Sequence, residues 1–169
     1  AFGFTLLDSG PLKWHKSATV LIRNGKESYL MGQDDGTYFG CVLADNPSTL
    51  QEAFISLTPV AARDVKGVIR QGEWFAIPVK DQKNVPDMYS EKTLLWTENA
   101  ESLVLPIEDK DSNYHTFTYG TIIVTASGFF ARNFSLEHDE HPALNGNRNI
   151  WYFFAKNTAL HSFSAEKVD

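Results

Sequence analysis

The segment 137–141, with the sequence EHDEH, carries the highest density of side chains that could do chemistry. Two imidazoles with a neighbouring carboxylate can bind zinc, manganese or iron and leave coordination positions open for water. One hypothesis is therefore a metal-dependent hydrolase or phosphodiesterase in which His138 and His141 bind the metal, with His115 as an optional further ligand. Glu140 would be a third ligand or the general base that activates a metal-bound water.

The spacing of these residues leaves a second interpretation open. His138 and His141 share a face if the segment is helical, whereas positions three apart in one strand point to opposite faces. Pro142 also disfavours a helical conformation at the residue before it. The other interpretation is a solvated, charged turn, or an exposed loop that binds a partner.

A second group of directional polar side chains lies in the sequence RQGEWF, residues 70–75. Arg70 could hold a carboxylate or phosphate with its planar guanidinium, and Trp74 could stack on a base or a sugar. The string could equally be structural, with Trp74 packed and Arg70 paired with Glu73. We predict that Arg70, Gln71, Glu73 and Trp74 contact the ligand of a binding protein.

Length and composition limit the class of protein. The chain has 169 residues, which fit one domain, and its 13% aromatic content argues against disorder. A net charge of −6 without a Lys/Arg cluster argues against nucleic-acid binding. The single cysteine, Cys41, excludes an intramolecular disulfide and suits the cytoplasm. We expect no membrane span and no signal peptide, because long apolar runs and a basic N-terminal region are both lacking.

The positions of turn residues predict a β-meander near the N-terminus. Residues 17–23, 27–32 and 37–43 are rich in β-forming side chains. Asn24-Gly25 predicts a type I′ hairpin turn between the first two strands, and Asp34-Asp35-Gly36 predicts the second turn.

The hydrophobic period then changes to that of a helix over residues 48–57. Apolar residues follow Leu50 at i+3, i+4 and i+7, which is one helical face. Ser48 is the expected N-cap, with Gln51 completing a capping box. Strands and helix together predict a βββα unit.

The remaining chain predicts mostly short strands. They lie at residues 68–69, 74–77, 94–96, 103–105, 116–125, 129–136 and 150–154. The expected fold is α+β, mostly antiparallel sheet, with the N-terminal βββα unit and one helix. We predict a single domain over residues 1–169, with the polar loop 80–92 as the one place where it could be subdivided.

Several of these motifs occur in one order: the Asn24-Gly25 hairpin, the RQGEWF string, Glu140-His141-Pro142-x-Leu144, and Trp151. This order resembles a group of uncharacterised prokaryotic and mobile-element proteins, from about residue 19 to the end. Residues 80–113 match least. The resemblance implies an origin in bacteria, archaea or their phages, and it implies no activity.

We therefore predict a non-catalytic binding or interaction module of bacterial or phage origin. Its role would be regulatory or accessory, including host–phage interaction. It would bind a protein partner or a small molecule in the cytoplasm and use no cofactor. The alternatives are the hydrolase, with a divalent transition metal such as zinc or manganese, and a structural virion or assembly protein. The last is suggested by the strand content and exposed aromatic residues.

Overall fold

The computed structural model describes residues 3–11, 18–34, 37–98, 100, 103–104, 115–126, 128–139, 141–159 and 161–165. These residues form strands β1 (Thr5–Pro11), β2 (Ala18–Asn24), β3 (Glu27–Asp34), β4 (Thr37–Leu43), β5 (Ile69–Gln71), β6 (Trp74–Pro78), β7 (Thr93–Thr97), β8 (Leu103–Val104), β9 (Thr116–Thr125), β10 (Gly128–His138), β11 (His141–Asn145), β12 (Tyr152–Lys156) and β13 (His161–Ala165). Helix α1 is Leu50–Leu57, and two 3₁₀ helices are Val60–Ala62 and Gln82–Asn84. The fold is α+β and mostly antiparallel sheet, which confirms the predicted class.

The chain divides into two compact units. The first comprises Ala1–Arg63 and Asn157–Asp169, and the second comprises Asp64–Lys156. The predicted loop 80–92 lies inside the second unit and contains one of the 3₁₀ helices. That the whole chain is a single domain stays a prediction.

The first unit contains the predicted βββα unit and two further strands. Its sheet has the order β1-β2-β3-β4-β13, so a strand from each end of the unit's sequence flanks the predicted meander. Leu21, Leu30 and Cys41 face one another across β2, β3 and β4 and are buried beneath α1 together with Ala53 and Leu57. Burying each leucine contributes roughly 1.5–3 kcal/mol.

The first hairpin turn differs from the predicted one by one residue. Asn24 ends β2 and pairs with Glu27, so Gly25 is the first central residue of the turn, with φ at 61°. Glycine at that position suits a type II′ turn. The observed register pairs Leu21 with Leu30; a turn centred on Asn24-Gly25 would shift the pairing by two residues and separate these leucines. The observed register therefore sets the two leucines directly opposite each other in the core.

The N-cap of α1 is also one residue later than predicted, at Thr49 rather than Ser48. The Thr49 hydroxyl accepts the Glu52 N–H at 3.2 Å, and the Glu52 carboxylate accepts the Ser48 N–H at 2.7 Å. The Leu50 N–H donates to the carboxylate of Asp8 at 2.8 Å. Asp8 lies in β1, a strand that local sequence did not predict, and it satisfies a helix N-terminal donor from outside the helix.

The second unit is built on a sheet with the order β5-β6-β12-β10-β9-β7, to which β11 adds at β10 and β8 adds at β9. One face is covered by a core of mostly aromatic side chains, which includes Trp74, Phe117, Phe129, Phe134, Tyr152 and Phe154. The other face carries Ile123, Phe130 and Trp151, against which Val79, Val85 and Met88 of the adjoining loop pack. Residues 151–154 are thus covered on both faces.

Strand β10 changes partner along its length. Residues 129–131 pair with β12, whereas residues 135–138 pair with β11. Between the two parts the register with β9 shifts, and Asn133 adopts a left-handed φ of 47°. Bulges of this kind bend a strand and redirect its side chains. The second half of β10 carries His138 to the hairpin with β11.

Candidate ligand-binding site

The RQGEWF string forms the β5–β6 hairpin. Gln71 pairs with Trp74, and Gly72-Glu73 makes the two-residue turn, with Gly72 at a φ of 54°. This is the glycine position that a type II′ turn requires. Because paired residues share a face and neighbours alternate, Gln71 and Trp74 lie on one face of the hairpin and Arg70 on the other.

Gln71 is almost fully buried, with 4% of its surface exposed. Its side-chain nitrogen donates to the carbonyls of Pro142 at 2.6 Å and Leu136 at 3.4 Å, which ties β5 to β11 and β10. Carbonyl oxygens can only accept hydrogen bonds, so the end of the Gln71 amide that faces them must be its NH₂ group. The other end, Oε1, has no hydrogen-bond partner among the residues that the structure describes.

Trp74 lies in the aromatic core rather than on the surface. It is 3% exposed, and its ring centroid is 5.4 Å from that of Phe129. The Nζ atom of Lys156 lies 5.8 Å from the Trp74 ring centroid, in a cation–π arrangement. Lys156 therefore covers the edge of the core at this end of the sheet.

Glu73 pairs with Lys156, at 3.4 Å between Oε1 and Nζ. The two side chains are 34% and 42% exposed, so the pair sits at the rim of the unit. Burial raises the pKa of Glu73. The hydrogen bond from its own backbone and the electrostatic influence of Lys156 and His115 lower that pKa by more, so the net pKa lies below its usual value. The carboxylate is therefore ionised at neutral pH.

Arg70 is exposed and fixed in place by its own hairpin. Its Nε donates to the Gly72 carbonyl at 2.6 Å, and its Cζ lies 5.1 Å from the Phe75 ring centroid. It is on the opposite face from Gln71 and Trp74, so the structure does not bring the four predicted ligand residues into one group. Their role in ligand binding stays a prediction.

The histidines of the other predicted site meet at a hairpin. His138 on β10 pairs with position 141 on β11, so the two positions lie neither on one helix nor on one strand. The exposed Asp139 follows β10 in a turn, as in the charged-turn interpretation. His115, just before β9 and 2% exposed, has its ring centroid 4.4 Å from that of His138, at an interplanar angle of 34°. Glu140 and the side chain of His141 lie outside the described residues. Among those described, no three His, Cys, Asp or Glu side chains are placed to hold one metal ion.

Both predicted groups converge on one end of the second unit. We call Gln71, Glu73, His115, His138 and Lys156 the polar end cluster. His115 contributes to lowering the pKa of Glu73, so the Glu73 carboxylate is within electrostatic range of the histidine half of the cluster. Gln71 joins the two halves through its hydrogen bonds to β10 and β11. Lys156 was not selected from the sequence. Lys156 lies opposite Trp74 because β6 pairs with β12 in this register, and nothing in the sequence near either residue predicts that pairing.

Comparison with protein-family models, with curated proteins and with solved structures finds no match to this chain. Over the described part of the chain, no helix combines the length and the apolar character that crossing a membrane requires. The contacts of the polar end cluster are therefore the observations on which a functional proposal can rest.

Proposed function

We propose that the protein is a non-catalytic binding module, regulatory or accessory in role, whose ligand site is the polar end cluster. The observation that carries the proposal is the buried Oε1 of Gln71, which has no hydrogen-bond partner among the described residues. A buried acceptor without a donor costs about 1–3 kcal/mol. Such groups are uncommon in native proteins and need a specific explanation. A ligand that supplies the donor is the explanation proposed here.

The chemistry of the cluster favours a ligand with N–H donors. Gln71 Oε1 and the ionised Glu73 carboxylate both accept hydrogen bonds. A cation is also favoured beside Trp74, since the Lys156 ammonium already lies over that ring and against Glu73. Lys156 is partly exposed and can move aside at modest cost, because exposed ion pairs contribute only about 0–1 kcal/mol. We therefore infer that the ligand is a small molecule that carries a protonated amine.

The proposal is tested by titrating the ¹⁵N-labelled protein with butylammonium, using butanol and butyrate as neutral and anionic matches. We expect butylammonium alone to shift the amide resonances of residues 71–74 and 156. Glu73→Gln should weaken this binding, whereas Glu91→Gln, an exposed carboxylate before β7 in the same unit, should leave it unchanged. The proposal is wrong if butylammonium shifts none of these resonances, or if it binds Glu73→Gln as well as the unmodified protein.

The proposal also covers the origin of the protein and its location in the cell. The motif order that resembles prokaryotic and mobile-element proteins supports a bacterial or phage origin, with host–phage interaction as one setting. The buried thiol of Cys41, the single cysteine, supports a cytoplasmic location.

A metal-dependent hydrolase is the second candidate, favoured by two observations. The β10–β11 pairing sets positions 138 and 141 opposite each other, and the His115 ring lies against that of His138. His115, His138 and His141 would hold zinc or manganese, and Glu140 would act on a water that the metal makes more acidic. Elemental analysis of the untagged protein tests this candidate. Stoichiometric metal, lost in His138→Ala and in His141→Ala, would support it, and absence of metal after titration with zinc and manganese would make it wrong.

A further inference from the structure

Strand β7 presents an apolar surface at the end of the second sheet. In the order of described strands it is terminal and pairs with β9 alone. Leu94 is 69% exposed and Leu95 is 46% exposed. Tyr89, 79% exposed, packs edge-on against Trp96 with their ring centroids 5.7 Å apart. Proteins normally protect edge strands with charges, proline, β-bulges or covering segments, since an open edge can pair with another strand. Strand β7 has one bulge, between Thr93 and Leu95.

The sequence of this edge is complementary to itself. Residues 92–98 have the sequence KTLLWTE. An antiparallel copy centred on Leu95 places opposite charges next to each other, threonine next to threonine, and apolar side chains next to apolar side chains. The pairs in that register are Lys92–Glu98, Thr93–Thr97, Leu94–Trp96 and Leu95–Leu95. Opposite charges, threonine pairs and aromatic–aliphatic pairs are all favourable cross-strand combinations. Both charged residues at the ends are exposed.

We propose that a second copy of this chain docks along β7, antiparallel and related by a two-fold axis at Leu95. The sheet of each copy would then continue into that of the other, and each Lys92 would face the partner's Glu98. The bulge between Thr93 and Leu95 leaves Leu94 outside the ladder with β9, so its exposed side chain is available to the second copy. The inference goes beyond ligand binding and rests on none of the residues of the polar end cluster.

A second copy fits this edge better than an unrelated strand does. Any partner strand needs an acidic residue opposite Lys92 and a basic residue opposite Glu98, with apolar residues between them. This chain already carries that order, and a two-fold axis satisfies both charge pairs at once. One pair of edge strands makes a small interface, so the dimer is expected to be weak, with a Kd on the order of 100 µM.

Sedimentation equilibrium of the full chain over a wide concentration range tests the proposal. We expect a monomer–dimer equilibrium that Lys92→Glu or Glu98→Lys alone weakens at least tenfold, because each places like charges opposite each other. The double variant, Lys92→Glu with Glu98→Lys, should restore it. Lys66→Glu is the control. It makes the same charge change before β5, at the other end of the sheet order, and should leave the monomer–dimer equilibrium unchanged.

Two results would overturn this inference. One is a protein that stays monomeric up to about 1 mM, well above the expected Kd. The other is a dimer that the single charge reversals leave intact or that the double reversal fails to restore. Because all the substituted side chains are exposed, circular dichroism should be the same for every variant, which separates loss of pairing from loss of fold.

Discussion

Replacing Gly146 with alanine should destabilise the second unit by forcing Phe134 out of place. A Cβ on Gly146 would lie well inside contact distance of two Phe134 ring carbons and 2.8 Å from a third, Cζ. Non-bonded carbons are favourable at about 3.5–4.0 Å. The Gly146 N–H donates to the Phe134 carbonyl at 2.9 Å, which holds the two backbones together.

The ring has little room to retreat. Phe134 is 0% exposed, and its ring centroid lies 5.7, 5.6 and 5.2 Å from those of Phe117, Tyr152 and Phe154. Moving it would push these rings or open the strands. Overpacking of a core typically costs about 1–3 kcal/mol. Because the ring is enclosed on several sides, we expect a loss of about 3 kcal/mol in the free energy of unfolding.

Urea unfolding followed by tryptophan fluorescence measures this loss. Three of the four tryptophans, Trp74, Trp96 and Trp151, lie in the second unit and report on it. Gly3→Ala is the matched control, since a Cβ there meets no atom within 4 Å, and its effect should stay below about 0.5 kcal/mol.

A double-mutant cycle separates the clash from other effects of alanine at this position. Phe134→Leu removes the ring, so Gly146→Ala should cost at least about 1 kcal/mol less in that background than in the unmodified protein. The reasoning is refuted if Gly146→Ala costs less than about 0.5 kcal/mol, or if its cost is the same in both backgrounds.

Two further predictions concern the helix cap and the charge at the site. Thr49→Ala should lower the free energy of unfolding by about 1 kcal/mol, because the Glu52 N–H loses its acceptor. Thr49→Ser keeps a hydroxyl and should retain this stability. Equal losses in the two variants would refute the assignment of Thr49 as the N-cap. The lowered pKa of Glu73 stabilises the fold above the unfolded-state pKa, near 4.5, and this contribution is lost as pH falls through the folded-state pKa. Glu73→Gln should therefore be less stable than the unmodified protein at pH 7 and equally stable at pH 2; a pH-independent difference would contradict the assignment.

Features set by neighbouring residues could be predicted from the sequence. The change from a period of two to the helical period identified α1, and Gly25 identified the first hairpin. The turn at Gly25 was predicted one residue early because the dipeptide preference does not reveal that Leu21 pairs with Leu30. The predicted N-cap, Ser48, was also one residue early. The helix N-terminus depends on a distant residue, because the Asp8 carboxylate of β1 accepts the Leu50 N–H.

The candidate site depends on pairings between distant parts of the chain, which one sequence does not reveal. Lys156 reaches Glu73 through the β6–β12 register, and His115 reaches His138 through β9 and β10. A charged turn was one interpretation of residues 137–141, but the pairing of positions 138 and 141 was not predicted, because Asp139-Glu140 lacks the glycine that usually marks a two-residue turn. Four of the five residues of the cluster were selected from the sequence, whereas Lys156 and the arrangement of all five were not.

The central claim is that Gln71 Oε1 accepts a hydrogen bond from a ligand at the polar end cluster. Comparing the affinity for butylammonium of the unmodified protein and of Gln71→Leu, by resonance shifts on titration, tests it most directly. Unfolding of the variant in urea must first show that it still folds. We predict saturable binding by the unmodified protein and an affinity at least tenfold lower in Gln71→Leu. Equal affinities, or no binding by the unmodified protein, would contradict the account.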